Sequence, residues 1–579
     1  MKLNIFSATP TIYQSSDESF LSITGRNSGT VINARKFASS LIICLLFFSL
    51  IVWLQWLSGA FRNEFGGDPD EASHYVTGLM IGDYMTSLPL SSPMGFAKKY
   101  YLHYPKIALG HWPPLFYLVQ GIWGKFFSPS RISMLLLMAL TTALLALTVY
   151  RIVRSEFGNK AGIATGTLTI LLPITQKATN LLMADMLFTL LGFWAVLCFG
   201  SYLDTEKARY AIGFGVLASL AILTKGNGFF LAIFPLLALV FSRRLYLLAR
   251  ASFWYPAAIV LLVCGPWYLL TRKMMGEIMA GELGLSYTRE AIRAYTWDLI
   301  LILGVGLSLV VVIGIFARII EPFRERRVEG RWAAAGALLF SFWLFYCIVP
   351  SGINSRYVIV AAPSLLMFFV AGIAWAASRL PLGKLTVFQK VYVLTVLAAT
   401  VFAAETFVLA KRPNYGFAEA ARNILSKPEL QNSVLLVASD AEGEGMFIAE
   451  VAPLEQKPGH IILRSSKVLS QSLWSGDQYQ LLYHTPEEVM RYLDEIPVGI
   501  VVMGDWLFRS MFEHRDHYNQ LNEVLKSYPQ NWELLGSYPR RLDEDLGEIR
   551  VYRRIGHENK PINKTRIDMR SKLGEAVEN

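Results

Sequence analysis

Long apolar runs recur along the sequence, and they limit the possible folds more than any other feature. The first run, at 38–57, contains about 20 residues, which is the length that a helix needs to cross the hydrocarbon core of a bilayer. Hydrophobic residues make up 53% of the 579 residues and charged residues only 17%, whereas soluble domains usually carry about 25% charged residues. The sequence therefore excludes an ordinary soluble globule and a disordered chain, and it predicts a polytopic α-helical membrane protein. Further apolar runs lie at 113–127, 131–150, 161–183, 185–203, 209–224, 229–242, 253–271, 299–317, 332–350, 357–378 and 388–408.

The distribution of arginine predicts which helix ends face the cytoplasm. Cytoplasmic loops are enriched in Lys and Arg, and residues 318–331 contain five Arg. Counting outward from this loop places everything after residue 410 on the extracytoplasmic side. Counting the apolar runs as membrane crossings from a cytoplasmic N-terminus gives the same side for this region only if one run does not cross the membrane. We expect this to be 113–127, because it is short and opens with two prolines. About 11–13 transmembrane helices are therefore predicted.

Net charge is +10 at pH 7. Basic cytoplasmic loops account for this excess, and no basic stripe with interleaved aromatic residues is visible, so nucleic acid is not an expected partner.

Composition divides the chain into three regions. Residues 1–37 are rich in Ser, Thr and Asn and are predicted to form a disordered cytoplasmic tail. Residues 38–410 form the multi-spanning part, and their first external loop is 59–112. Residues 411–579 are predicted to form a separate extracytoplasmic α/β domain.

The α/β prediction for the last region rests on local patterns. Thr485 and Glu488 are placed to form a capping box on a helix at 485–496. The segment Glu442-Gly443-Glu444-Gly445 lacks a full phosphate-binding spacing and is expected to be a turn. The four Cys lie in apolar runs, which predicts small core residues rather than disulfides or zinc ligands. Short β-rich runs lie at 433–439, 460–463, 498–503 and 548–553.

The first external loop is the richest in chemical groups. Three of the eight His residues lie in it, together with several Asp, Glu and Lys. Its sharpest motif is DPDEASHY (68–75), where Asp70 and His74 are four residues apart and share a helix face. A partly desolvated carboxylate at a membrane surface is a usable general base. The alternative, equally weighted on composition, is a helix N-terminus with solvated acids.

Three further charges stand where a membrane protein disfavours them. Asp185 lies between apolar residues, and an acid at a membrane edge is a functional hypothesis by default, although it could also cap a helix. Lys225 and Arg356 lie at external helix ends, against the positive-inside rule. They could bind an anion such as phosphate, or they could be snorkelling anchors.

The external loop ends in GHWPPL (110–115). Its two prolines are tolerated in the first turn of a helix, and they would fix the preceding residues at the membrane boundary. Trp112 could be an interfacial anchor, and His111 could contact phosphate or a metal.

These motifs, in this order, resemble the membrane glycosyltransferases of the C-type fold, in the bacterial branch shared by protein O-mannosyltransferases and lipid A aminoarabinose transferases. The resemblance covers about 38–410. The chain departs from the aminoarabinose transferases in having His111-Trp112 before the two prolines, where those enzymes have a charged pair. The motifs that match are Asp70-Glu71, Pro113-Pro114-Leu115, Asp185, Thr224-Lys225-Gly226, Pro266-Trp267-Tyr268 and Arg356-Tyr357.

The resemblance implies a glycosyltransferase in the bacterial cytoplasmic membrane. It would move a sugar from a polyprenyl-phosphate donor to a hydroxyl of a lipid, glycan or protein acceptor, with inversion. The implied catalytic residues are Asp70, Glu71 and Asp185. The implied donor-phosphate ligands are Lys225, Arg356, Lys106, His111 and His103. The implied substrate-binding residues are His74, Tyr75, Trp112, Tyr268 and Tyr357. A divalent metal is a candidate cofactor, with Glu71 and His111 as its candidate ligands.

Two other functional classes remain open at this point. Buried acids and external cations also suit a transporter or flippase for a lipid or a small anion. Such proteins often show inverted repeats, and no internal symmetry is visible in this sequence. A scaffold that presents residues 411–579 outside the membrane is the third hypothesis.

Overall fold

Long apolar helices make up most of the chain, as the sequence predicts. Among the residues that the computed structural model describes, eight helices are long and apolar enough to cross a bilayer, and two shorter apolar helices lie at 208–224 and 226–242. The described residues are 28–66, 68–87, 92–276, 284–325, 328–379, 385–408, 415–457, 459–471, 478–507, 514–542, 545–557, 566–569 and 575–578. Most of the tail predicted at 1–37 lies outside them.

The helices of the membrane part and of the external loop are α1 (Ser28–Leu57), α2 (Pro69–Ser87), α3 (Pro93–His103), α4 (Leu115–Phe126), α5 (Arg131–Leu171), α6 (Pro173–Thr179), α7 (Asp185–Thr205), α8 (Ala208–Thr224), α9 (Phe230–Ser242), α10 (Ala251–Gly276), α11 (Leu285–Leu301), α12 (Gly304–Ile315), α13 (Glu321–Arg324), α14 (Gly330–Ile348), α15 (Ala362–Arg379) and α16 (Val387–Val408). Short 3₁₀ turns lie at Gly226–Phe229, Leu245–Ala249 and Ser355–Ala361, and a π-helical turn at Phe316–Ile320.

The helix α5 consists of two segments that fold back on each other. Gly158, at its middle, has φ 85° and ψ 168°, a backbone conformation that L side chains rarely adopt. Beyond this bend, Gly162 lies against Tyr150, and a Cβ at position 162 would come 2.9 Å from the Tyr150 carbonyl oxygen. The apolar runs at 131–150 and 161–183 therefore form a helical hairpin, which is why fewer long helices are found than runs.

The helix α4 does not cross a membrane. Its 12 residues span only about 18 Å, against a hydrocarbon core about 30 Å thick. It packs instead on α2, where Gly121 comes so close to Gly82 that a Cβ on Gly121 would lie 3.0 Å from the Gly82 nitrogen. The expectation that the run 113–127 is partial agrees with this length. Together α2 and α4 place the external loop at one end of the bundle.

The C-terminal region contains a five-stranded mixed sheet in the order β2-β1-β5-β7-β6. Strands β2, β1 and β5 are parallel, β7 pairs antiparallel with β5, and β6 pairs antiparallel with β7. The predicted capping box is present in modified form: the Thr485 side chain accepts the N–H of Glu488, and Glu488 accepts the N–H of His484. The strands are β1 (Val434–Ala438), β2 (Ile462–Arg464), β3 (Ser470–Gln471), β4 (Gln480–Leu481), β5 (Val498–Gly504), β6 (Trp532–Leu542), β7 (Asp545–Arg554), β8 (Arg566–Met569) and β9 (Glu575–Glu578), and the helices are α17 (Phe417–Leu425), α18 (Ala441–Val451), α19 (Ser465–Val468), α20 (Pro486–Glu495) and α21 (Asp516–Ser527).

The turn expected at Glu442–Gly445 is wrong, because these residues form the first turn of α18. Asp440 caps that helix by accepting the N–H of Gly443 at 2.8 Å, and both Asp440 oxygens also bind Arg540. A buried cap and its tertiary packing outweigh the low helix propensity of two glycines.

The external loop and the C-terminal sheet share one hydrophobic core. Buried side chains of the loop, such as Phe65 and Tyr75, belong to the same cluster as Leu435 and Val501 of the sheet. Polar contacts join the same two regions, since Glu64 accepts the backbone N–H groups of residues 417 and 418 at 3.1 and 2.9 Å. The two regions therefore pack as one layer on the same side of the helical bundle.

Candidate active site

The site begins at the first turn of α2. Asp68 precedes the helix, and its Oδ1 accepts the N–H of Asp70 at 3.0 Å, an arrangement that favours a helix start. With this hydrogen bond in place, the carboxylates of Asp68 and Asp70 both face Arg356. Arg356 donates from Nη1 to Asp68 Oδ2 at 2.6 Å and from Nη2 to Asp70 Oδ2 at 2.8 Å. Burial raises the pKa of Asp68, and the charge of Arg356 opposes that shift.

Arg356 is held in place by its own turn. It lies in the 3₁₀ turn Ser355–Ala361, where the Asn354 side chain accepts its backbone N–H at 3.0 Å. From α11, Tyr295 donates to the carbonyl of Gly352 at 2.9 Å. Residues that are 286 positions apart in the sequence are thus brought into contact by a loop that is fixed at both ends.

A second ion pair lies beside the first. Asp185 begins α7, and Lys225 directly follows α8 in an extended conformation. Lys225 Nζ lies 2.5 Å from Asp185 Oδ1, and the two side chains are 17% and 5% exposed. The Tyr357 ring joins the two pairs, with its centroid 4.4 Å from Lys225 Nζ and 5.5 Å from Arg356 Cζ. Cation–π contacts of this kind orient charged groups.

The sequence interpretation missed the support beneath this cluster. Tyr346, which is buried, packs its ring 5.2 Å from that of Tyr357. Its hydroxyl accepts a hydrogen bond from Asn227 Nδ2 at 2.6 Å. Because Asn227 is two residues after Lys225, Tyr346 connects the two turns that carry the cations. The sequence offered no signal for this contact beyond the nearness of Asn227 to the Thr-Lys-Gly motif.

His74 lies next to the acids, as its helical spacing from Asp70 predicts. Its ring stacks on Trp112 with centroids 4.3 Å apart, and its Nδ1 is 2.8 Å from the Tyr117 hydroxyl. Burial is the main cause that lowers the pKa of His74 to about 4, and the charges of Asp70 and Arg356 act on it in opposite directions. At neutral pH the imidazole is therefore neutral, so it can orient a polar group but adds no positive charge.

Glu71 points away from Asp70. Its Oε1 accepts the N–H of Leu182 at 3.1 Å, its Oε2 accepts the N–H of Gly66 at 3.3 Å, and Arg131 lies 3.6 Å away. The two adjacent acids therefore have different contacts: Asp70 faces the cation Arg356, and Glu71 binds the external loop to the helical bundle.

The remaining predicted residues are distributed around this centre. His103 contacts the C-terminal region through the carbonyl of Gly459 at 2.8 Å, so it is not brought to the cluster. Tyr75 is buried, and its hydroxyl donates to Pro129. The Tyr268 hydroxyl donates to the carbonyl of Ile222, just before the turn of Lys225. Lys106 packs on α18, and His111 is buried.

The candidate metal ligands do not fit a metal. In the described part of the chain, no group of three or more His, Cys, Asp or Glu side chains is placed to hold an ion. Both oxygens of Glu71 already accept backbone N–H groups.

Comparisons with known proteins agree with this geometry. Residues 111–269 match the family described as dolichyl-phosphate-mannose-protein mannosyltransferase. Across 89% of the chain, the fold matches ArnT from Cupriavidus metallidurans bound to undecaprenyl phosphate, with a TM-score of 0.55 and 13% identity over 99% of that chain. The apo state of that protein gives a TM-score of 0.55 and 14% identity, with 89% of this chain and 98% of that chain covered. No curated protein matches significantly in sequence.

The resemblance to membrane glycosyltransferases of the C-type fold is confirmed by these findings. The match at 111–269 begins with the His-Trp-Pro-Pro-Leu motif and ends just after the Pro-Trp-Tyr motif, so it contains Asp185 and Lys225. The chain is therefore a multi-pass membrane protein with the C-type glycosyltransferase fold, and its residues 111–269 carry the signature of the dolichyl-phosphate-mannose-protein mannosyltransferase family.

Proposed function

We propose that the protein transfers a sugar from a polyprenyl-phosphate donor to an acceptor hydroxyl, on the extracytoplasmic face of the bacterial cytoplasmic membrane. The fold and the family match support glycosyl transfer. The observation that carries the proposal is the convergence of Asp70 and Asp185 on the two cations Arg356 and Lys225. A lipid-phosphate leaving group needs cations, and an attacking hydroxyl needs a base.

Lys225 and Arg356 would bind the donor phosphate. A guanidinium can grip phosphate oxygens with two N–H groups, and an ammonium adds a compact point charge. Both cations lie at helix ends and are about one-fifth exposed or less, so their charge is poorly screened by solvent. As the bond between sugar and phosphate breaks, negative charge grows on the phosphate, and fixed cations stabilise that charge in the transition state.

Asp70 would act as the general base. Arg356 binds its Oδ2, and Oδ1 can accept the proton of the acceptor hydroxyl. The acceptor oxygen then forms a bond to the anomeric carbon, and the bond from that carbon to the phosphate oxygen breaks with its electron pair on the lipid phosphate. A single displacement of this kind inverts the configuration at the anomeric carbon. Asp185 keeps Lys225 in place through their ion pair.

The test compares wild type with Asp70→Asn in sugar transfer. Purified protein receives a labelled polyprenyl-phosphate sugar and an acceptor, and both transferred label and released carrier phosphate are measured. Asp516→Asn, an exposed change in the C-terminal region, is the matched control. We expect Asp70→Asn to lower turnover by about 10²–10⁴-fold, as loss of a general base does, while the control keeps wild-type activity.

Two results would reject the proposal. Equal transfer by wild type and Asp70→Asn removes the catalytic assignment. Failure of wild type to bind undecaprenyl phosphate or to release carrier phosphate from any lipid-linked sugar removes the glycosyltransferase function itself.

A further inference from the structure

A tyrosine that the mechanism above does not use holds His74 in one position. Tyr117 lies in the first turn of α4, and its hydroxyl is 2.8 Å from His74 Nδ1. The Tyr117 and His74 side chains are only 3% and 6% exposed. Trp112 stacks on the imidazole, and Phe116 meets it edge-on with ring centroids 5.6 Å apart. The imidazole is therefore fixed by three aromatic neighbours, of which Tyr117 also makes a hydrogen bond.

In this hydrogen bond Tyr117 is the donor and His74 is the acceptor. Burial and the charge of Asp70 both raise the pKa of the Tyr117 phenol, so the hydroxyl keeps its proton. A buried hydroxyl proton needs an acceptor, and in the described part of the chain the partner of this hydroxyl is His74 Nδ1. The imidazole is neutral at pH 7, because burial lowers its pKa to about 4. A neutral imidazole that accepts at Nδ1 carries its proton on Nε2.

The other ring nitrogen of His74 is left beside the charged cluster. His74 and Asp70 are four residues apart on α2 and share a helix face, and Asp70 binds Arg356. Within the residues that the structure describes, His74 Nε2 makes no hydrogen bond and is not sealed from solvent. It is therefore an accessible N–H donor at the edge of the cluster. Four charges act on the imidazole, those of Asp70, Arg356, Asp185 and Lys225.

We propose that Tyr117 is a positioning residue, which fixes His74 in the tautomer whose Nε2–H donates to an oxygen of the donor phosphate. The free oxygens of a lipid phosphate accept hydrogen bonds, so they match an N–H group and not an unprotonated nitrogen. A neutral donor suits this place, because Lys225 and Arg356 would repel an imidazolium. The inference rests on the proposed function and deepens it, since it adds an uncharged phosphate ligand and the residue that sets its tautomer.

Nitrogen NMR tests the tautomer without any substrate. Full-length protein with isotope-labelled histidine is examined in lipid vesicles, and the His74 signals are assigned as those that disappear in His74→Gln. We expect wild type to show a protonated Nε2 and an unprotonated Nδ1, and Tyr117→Phe to show a mixture of the two tautomers. Tyr100→Phe is the matched control, because it removes a phenol hydrogen bond to Asp83 in the same external loop. It should leave the His74 signals unchanged.

Binding of undecaprenyl phosphate tests the ligand. His74→Phe should raise its Kd about tenfold and Tyr117→Phe about threefold to tenfold, as the loss or misorientation of one hydrogen bond does, while Tyr100→Phe keeps the wild-type Kd. A glutamine at position 74 keeps an amide donor near the place of Nε2 but has no counterpart of Nδ1. His74→Gln should therefore bind within about threefold of wild type. Adding Tyr117→Phe to His74→Gln should not change the Kd further, because the contact through which Tyr117 acts is already absent.

Three results overturn the inference while leaving the proposed function in place. They are His74 signals that are the same in wild type and Tyr117→Phe, a wild-type Kd for undecaprenyl phosphate in His74→Phe, or a further rise of the Kd when Tyr117→Phe is added to His74→Gln. Failure of wild type to bind undecaprenyl phosphate removes the proposed function and the phosphate ligand together. A His74 tautomer that still depends on Tyr117 in such a protein would keep only the positioning role of Tyr117.

Discussion

The Lys225–Asp185 ion pair allows stability and function to be separated in one double-mutant cycle. The pair is short, at 2.5 Å, and Asp185 is only 5% exposed. Removing one member of a buried pair costs about 3–5 kcal/mol, because the other charge is left uncompensated, whereas replacing both by apolar residues is often neutral. Lys225→Met should therefore destabilise the fold by about 3 kcal/mol, and Asp185→Leu somewhat less, since Lys225 is partly exposed and can turn toward water.

The double variant Asp185→Leu/Lys225→Met should recover most of the lost stability but not the activity. If Lys225 stabilises the donor phosphate, its loss costs about 10²–10³-fold in turnover, as the loss of one fixed donor at a developing charge does. Thermal unfolding in detergent micelles measures the first effect, and transfer of labelled sugar measures the second. We expect thermal stability to recover in the double variant while sugar transfer stays low.

Recovery of transfer in the double variant would refute the reasoning, because the pair would then be structural only. Single variants as stable as wild type would refute it differently, by showing that the two charges are not held in a desolvated pair.

Three further predictions concern other buried or partly buried polar side chains. Asp68→Asn keeps an acceptor for the helix turn but loses one charged bond to Arg356, so kcat/KM should fall about tenfold in the transfer assay. Tyr346→Phe removes the bond to Asn227, and it should lower the free energy of unfolding by about 1 kcal/mol and transfer by about threefold to tenfold. Burial raises the pKa of Glu450 to about 7 from its ordinary 4.5. The folded state therefore holds the proton more tightly than the unfolded state does, so Tm should fall as pH rises between these two values. Glu450→Gln should flatten this dependence of Tm on pH.

Each of these predictions has a contradicting result. An unchanged kcat/KM in Asp68→Asn would show that Asp70 alone holds Arg356. Wild-type kinetics in Tyr346→Phe would limit Tyr346 to packing. A pH curve of Tm that is the same in wild type and Glu450→Gln would place that carboxyl in solvent.

The charged residues of the candidate site could be predicted from the sequence because they lie where a membrane protein disfavours charge. Asp185 lies at the edge of an apolar run, Lys225 and Arg356 lie at helix ends, and the structure brings all three together. Their partners could not be found this way. Asp68 and Arg356 are 288 positions apart, and a pairing at such separation depends on tertiary packing that no local pattern records.

Local patterns also failed where tertiary contacts overrode them. The two glycines beside Glu442 weaken a helix, yet Gly445 is needed there, because Lys106 occupies the space of a side chain. Strand β6 was missed because it contains Gly536 and Pro539, which usually interrupt strands. Its register shifts beside Gly536, and it lies at the edge of the sheet, where proline is tolerated.

The bond from Glu64 to residues 417 and 418 joins positions 353 and 354 apart in the chain. Every apolar helix of the membrane part except α1 lies between these two points. During biosynthesis the loop that carries Asp70 is therefore made long before the segment that completes its core. A nascent chain that ends before residue 417 contains the apolar helices but lacks the sheet that shares a hydrophobic core with the loop.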